Sequence, residues 1–465
     1  MATLQLPKLN IPASSATVSV SIINSSGTLR GVRARRFIEP EIPGHDWLAT
    51  PIFSFLVEHP TLDRSIVFDL GMRKDWWNWP PPLAERLRTS GYTPCVPRHV
   101  REILDAGGVD TAKIEAVVWS HWHFDHTGDP ATFDPSTALI VGPGCKQHIF
   151  PGWPANPRAA FSEADYAGRE VRELDFSPGP GRLKIGRFDA LDYFGDGSFY
   201  FLDSPGHAIG HICGLARVKS RGAGGPGADP DTQDSFILMG GDAVHHGGEL
   251  RPHTWHPLPA EITPHPFDPL SRAPCPGEIF DCVLRDVPGS CNGGGGGGDS
   301  GSNSGGSTKK DRHSPIYLPQ GDPAYGVVPH HDIPEMIDSI RKVQEADAHS
   351  NILVVAAHDQ SLLDIVDFFP ARADEFAEKG WVQKARWAFL MDFARSVGFD
   401  GDLEALRGGV GAGEEGTTRG AGGGESKGWK QERMTRLAER TGDFSGLPKE
   451  ENVRAWVERG ANVHS

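Results

Sequence analysis

Short apolar runs that end in polar, glycine- or histidine-bearing turns recur along the first three quarters of the chain. Ser65–Phe68 leads into Asp69-Leu70-Gly71, Ile114–Trp119 into Ser120-His121, and Ser198–Leu202 into Asp203-Ser204-Pro205-Gly206-His207. Phe236–Met239 leads into Gly240-Gly241-Asp242, and Asn351–Ala356 into Ala357-His358-Asp359. Compact β-branched and aromatic runs bounded by turn residues have the pattern of buried strands. Between them lie stretches with helical spacing: Val100, Ile103 and Leu104 within 97–106, and Met336, Ile337, Ile340 and Val343 within 333–346. Alternating strands and helices predict an α/β architecture in which helices cover sheets. Beyond Ala371 the apolar residues Trp381, Trp387, Phe389 and Leu390 predict a helical C-terminal extension.

The repetition is the informative part. Five separate strands each release a His or an Asp at the C-terminal end. Layered α/β proteins gather their chemistry on such loops, so the five turns predict one convergent site.

Composition sharpens the organisation. Of 465 residues 57 are glycine, many of them in two runs, 290–307 and 408–428. Such runs bury too little apolar surface to offset the entropy of ordering, which predicts disordered insertions. The expected organisation is a tail at 1–16, a main domain at 17–370 with insertions near 218–234 and 288–312, and a helical extension at 371–465 carrying the glycine-rich segment 408–428.

Acidic residues outnumber basic ones by 61 to 46, a net charge of -15, which argues against a nucleic-acid partner. Neither a nucleic acid nor a membrane is expected as a partner; the small-molecule substrate expected instead follows from the metal chemistry below. Met1–Ala16 has no apolar core behind basic residues, and no stretch approaches the length of a bilayer span. Six scattered cysteines with no C-x-x-C pair are expected as reduced thiols, and the compartment as cytoplasmic.

His121, His123, Asp125 and His126 place four potential metal ligands in one short loop. Imidazole nitrogen and carboxylate oxygen are what zinc accepts when it keeps a reactive position open. On an extended segment His121 and His123 point the same way and can share one ion, while Asp125 and His126 can face a second. So short a loop cannot complete two coordination shells. His207, Asp242 and His358 supply the missing ligand types, and a carboxylate such as Asp242 can bridge two cations.

With these residues in order, the chain resembles the metallo-β-lactamase superfamily, whose H-x-H-x-D-H motif matches His121 through His126. Gly206-His207, Gly241-Asp242 and Ala357-His358 match its later motifs, and Asp69 its first-strand aspartate, across roughly residues 17–370. The resemblance implies a four-layered αβ/βα sandwich and two zinc ions per chain. It implies one ion on His121, His123 and His207, and the other on Asp125, His126 and His358. Asp242 and a hydroxide would bridge them, and the hydroxide would open a cyclic ester or amide without a covalent intermediate. Within the family the chain resembles the lactonase-like branch, which includes N-acyl-homoserine lactonases and fungal lactone- and lactam-opening enzymes. There His245 stands where those lactonases carry a tyrosine that contacts the substrate carbonyl, so His245 and Asp125 are the expected catalytic side chains. A thioesterase or aryl-esterase on the same fold, or an iron-dependent persulfide-dioxygenase-like oxidoreductase, is the alternative.

Some residues have blander readings. His211 is expected to support the ligands from behind. His245, His246, His253 and His256 are expected as a polar loop near the site, contributing no extra ligands. Trp76, Trp77 and Trp79 either wall the substrate or pack against the body of the protein.

Overall fold

The computed structural model describes residues 5–90, 92–179, 182–220, 234–269, 271–287, 309–322 and 329–399. The glycine-rich runs 290–307 and 408–428, and residues 221–233 of the expected insertion 218–234, lie outside the described residues.

Every strand expected from the apolar runs forms. Among the described residues a seven-stranded sheet runs in the order 93–95, 19–30, 51–59, 64–68, 114–118, 138–141, 171–173. A six-stranded sheet runs 352–355, 235–239, 212–219, 199–203, 188–192, 182–185. Strands 64–68, 114–118, 138–141 and 171–173 pair in parallel, as do 235–239 and 352–355. Because side chains alternate along a strand, each strand serves two cores at once. Ile66, Phe68, Ala116, Val118, Phe199, Phe201, Ile237, Met239, Leu353 and Val355 point into the apolar layer between the sheets. Their neighbours Val67 and Val117 face outward onto Val100, Ile103 and Leu104 of the helix Val100–Ala106. On the far side Tyr200, Leu238 and Val354 face Met336, Ile340 and Val343 of the helix Ile333–Asp347. The result is a four-layered sandwich with helix, sheet, sheet and helix.

The segment expected as a separate helical extension is part of this body as far as residue 399. Among its described residues, 371–399, it contains the short helix Trp381–Ala385 and a 3₁₀ turn, Ala388–Phe393. Ala373, Phe376, Trp381 and Val382 complete the core between the sheets, and Trp387, Phe389, Leu390 and Phe393 join a second apolar centre with Ile38, Leu48 and Phe280. Backbone bonds from Phe369 and Ala373 to the carbonyls of Ile22 and Val20 lay the segment along the first strand. The apolar periodicity reported that these residues are buried, but not which surface they cover. At the other end Leu9 of the expected tail is buried against Ile185 and Phe188.

No helix among the described residues is long and apolar enough to cross a membrane, and the five described cysteines are unbonded.

Candidate metal centre

All five functional turns lie where their strands end, and the sheet geometry brings them together. Asp69 ends strand 64–68 in the left-handed region, at φ 60°. Its carboxylate accepts the Ser120 N–H at 2.7 Å and the His126 Nδ1–H at 2.8 Å. Two strong acceptor contacts, fully buried, offset the cost of a non-glycine residue in that conformation. After Ser120 the chain bends through His121 and Trp122, where an extended run was expected; only His123 is extended, and it leads into the short helix Phe124–Thr127 that carries Asp125 and His126. The Trp119 indole N–H closes the loop by donating to the Thr127 carbonyl at 3.0 Å.

Two groups of ligand atoms result. His121, His123, His207 and Asp242 form one, and Asp125, His126 and His358 the other, each with its atoms within 4.8 Å of one another. In the first, His207 Nε2 lies 3.1 Å from His121 Nε2 and 2.9 Å from His123 Nδ1. Asp242 stands between the groups. Its Oδ2 is 3.8 Å from His121 Nε2 and 3.5 Å from His207 Nε2. Its Oδ1 is 3.0 Å from His126 Nε2 and 3.2 Å from His358 Nε2. Asp125 Oδ2 lies 3.6 Å from His358 Nε2. One carboxylate thus turns one oxygen to each group.

The electrostatics fit cations at these points. Burial, then the nearby histidines, hold His121 and His207 well below the usual imidazole range, so both are neutral and offer lone pairs. The Nδ1–H of His126 donates to Asp69 and that of His358 to the Pro51 carbonyl at 2.9 Å, which turns both Nε2 atoms toward Asp242. Burial alone would lower the pKa of these two rings. The facing carboxylates of Asp242, with Asp69 on His126 and Asp125 on His358, outweigh it and raise both, so Nε2 of each ring sits where positive charge, a proton or a metal ion, is favoured. His126 Nε2 and Asp242 Oδ1 are buried and neither has a hydrogen-bond partner. Lone pairs that converge with nothing between them are a cost unless a positive charge occupies the gap, and this donor set is the nitrogen and oxygen set that zinc accepts.

The surrounding residues sort as follows. His211 Nδ1 donates to the Ser204 carbonyl and its Nε2 accepts the Asp242 N–H at 3.0 Å, so it holds the Asp242 backbone from behind. Gly241, at φ 50°, leaves room for the His211 ring, which an added Cβ would meet at 2.9 Å. Of the four histidines after Asp242, only His245 faces the centre. Its ring lies 4.8 Å from that of His207, its Nε2 is 3.3 Å from Asp242 Oδ2, and neither of its nitrogens has a hydrogen-bond partner. His246 pairs with Asp392, while His253 and His256 bond to Asp347. Trp79 is buried edge-on to Phe124 of the metal loop, ring centroids 5.2 Å apart, and so packs against the body. Trp77 is 54% exposed. His330 was not singled out in the sequence; it follows no apolar strand and matches no spacing, yet its Nδ1 lies 3.2 Å from His207 Nδ1.

No protein-family model matches the chain. A gamma-lactamase of Fusarium pseudograminearum is 40% identical over 417 residues, which cover 88% of this chain and 91% of that protein. A metallo-hydrolase of Annulohypoxylon moriforme is 39% identical over 392 residues, 83% of this chain and 90% of its own length. A solved N-acyl homoserine lactone hydrolase is similar over 77% of this chain and 99% of its own, at 13% identity and a TM-score of 0.43. Two relatives that align along nine tenths of their length at about 40% identity share ancestry with this chain, which belongs to the metallo-β-lactamase superfamily.

Proposed function

We propose that the protein is a dinuclear zinc hydrolase that opens a lactone or lactam ring in a small-molecule substrate. The observation that carries the reading is Asp242, whose two oxygens face two separate ligand groups. The relatives named gamma-lactamase and metallo-hydrolase support hydrolysis of a cyclic substrate. His121, His123 and His207 would hold one ion, Asp125, His126 and His358 the other, and Asp242 both. Bound there, zinc supplies Lewis acidity: it polarises a carbonyl and makes hydroxide available at neutral pH.

The chain's own side chains do the rest. Asp69 and the Pro51 carbonyl fix the tautomers of His126 and His358, so that both present lone pairs inward. His245, buried beside Asp242 with its ring nitrogens unpartnered, is placed to donate a hydrogen bond to the carbonyl oxygen of the substrate. Asp125, at the less buried edge of the second group, is placed to return a proton to the leaving oxygen or nitrogen. Phe37, whose ring lies 5.1 Å from that of His245, gives this side of the site an apolar surface.

A hydrolysis assay of the zinc-loaded protein on lactones, lactams, thioesters and aryl esters tests the reading. Ring opening is expected for the cyclic substrates, and none for the Asp242→Ala variant. Full activity in that variant overturns the dinuclear assignment, and turnover confined to thioesters or aryl esters overturns the substrate class.

A further inference from the structure

We infer that His330 is a positioning residue that locks His207 in its metal-ligating tautomer. The inference rests on the dinuclear reading and deepens it. His207 Nε2 is the nitrogen that meets His121 and His123, so in a neutral ring the proton must sit on Nδ1. That Nδ1 lies 3.2 Å from Nδ1 of His330. Two ring nitrogens at this distance share one proton, and only one of them can own it. The other side of His330 decides which. Its Nε2 is 2.9 Å from the carbonyl oxygen of Phe37, which can only accept, so the His330 proton is on Nε2 and its Nδ1 is the acceptor. The Phe37 carbonyl therefore dictates the tautomer of His330, and His330 dictates that of His207.

The fold builds this chain of contacts deliberately. The N–H groups of His331 and Asp332 donate to the Gly206 carbonyl, and that of His331 also reaches the His207 carbonyl, pinning the segment onto the His207 turn. Gly206 sits at φ 116° directly against the Met336 backbone, where no side chain fits, so the start of helix Ile333–Asp347 can close on that turn. Phe37 is held in its turn by the Gln320 N–H, which donates to the same carbonyl, and by pairing of Ile38–Glu39 with Leu318–Pro319. His330 is itself 7% exposed, so water does not replace its contacts freely. His126 and His358 take their orientation from a carboxylate and a carbonyl; His207 takes it from a second histidine.

The test is zinc affinity of the full-length protein, measured by competition with a chromophoric chelator. The wild type is expected to bind two ions. His330→Ala is expected to hold one of them about 10- to 100-fold more weakly, the scale of losses for residues behind a ligand, with the other ion unchanged. His330→Asn, whose Oδ1 can stand where Nδ1 stood, is expected to recover most of the loss. Two ions bound by His330→Ala with wild-type affinity would overturn the inference and leave the dinuclear reading intact. A wild type that never takes up a second ion would overturn both. Long-range proton–nitrogen correlation on the wild-type chain reads the tautomers without any variant: His330 protonated on Nε2 is expected, and His330 protonated on Nδ1 contradicts the inference.

Discussion

Two buried histidine clusters lie a short distance apart in this protein, and they differ in what their nitrogens face. In the candidate metal centre the inward nitrogens of His121, His207, His126 and His358 converge on the one carboxylate of Asp242. In the second cluster His45, His246 and Asp392 also bring ligand atoms within 4.8 Å of one another. There, however, both nitrogens of His246, both oxygens of Asp392 and Nδ1 of His45 are engaged in ordinary hydrogen bonds. The Gly248 N–H donates to His246 Nδ1, which puts the His246 proton on Nε2, facing Asp392 Oδ2 at 3.2 Å. Gln360 donates to the other Asp392 oxygen at 2.7 Å, and Tyr317 Oη meets His45 Nδ1 at 2.6 Å. A metal on His246 Nε2 would have to displace the very proton that the helix cap requires. The same residue types gather around one shared carboxylate in one place and form a hydrogen-bonded polar core in the other, and the protons already claimed by the backbone decide which.

Substitutions can break this contrast from either side. The largest effect is expected at Asp242: Asp242→Ala removes the one group shared by both ligand sets and should abolish ring opening and lower zinc content, as plasma emission would read. Next comes Trp79→Ala, which empties the aromatic contact behind the metal loop. It should cost about 3–5 kcal/mol of unfolding free energy, the usual range for a buried aromatic, whereas Trp77→Ala on the exposed ring should leave the denaturant midpoint nearly unchanged. Asp392→Ala leaves His246 and Gln360 with unpaired donors, a loss of about 1–3 kcal/mol, and should leave the zinc content at the wild-type value. A fall in zinc content in that variant would erase the distinction between the clusters.

The smallest effect is one of acid sensitivity. Burial lowers the pKa of His45 to about 3 and of His246 to about 4. In the unfolded chain both titrate near about 6.5, so between there and their folded values the unfolded chain holds protons that the folded one lacks. Stability therefore falls as pH drops through that window. Asp392 works in the opposite sense. Burial pushes it up to about 6, so below that value the folded chain holds a proton that the unfolded carboxylate lacks until about pH 4. Asp392→Asn removes this offset. The loss of stability between pH 6 and 4 should then steepen by up to about 1.4 kcal/mol per pH unit, as denaturant midpoints of variant and wild type would show. An unchanged slope would mean that the cluster is not held as described.

Much of this was legible in the residues themselves. The five strand-to-turn transitions stood out because buried parallel strands read as short apolar runs, and all of their turns meet at the site. The path of the C-terminal segment was not legible, since apolar spacing reports burial without naming the surface covered: Trp381 goes between the sheets and Phe389 to another centre. His330 and the Phe37 carbonyl were equally silent, because a residue that acts by accepting one proton leaves no spacing to read. Of the histidines after Asp242, His246, His253 and His256 bond elsewhere; the resemblance sets His245 apart by its place opposite the family's tyrosine, while spacing alone does not separate it from the other three.

The most direct test of the central claim is the metal content of the purified protein together with that of Asp242→Ala. Two zinc ions per chain are expected in the wild type, with loss of metal in the variant and loss of ring opening with it. One iron and no zinc per chain, or an Asp242→Ala variant that keeps both ions and full activity, would contradict it.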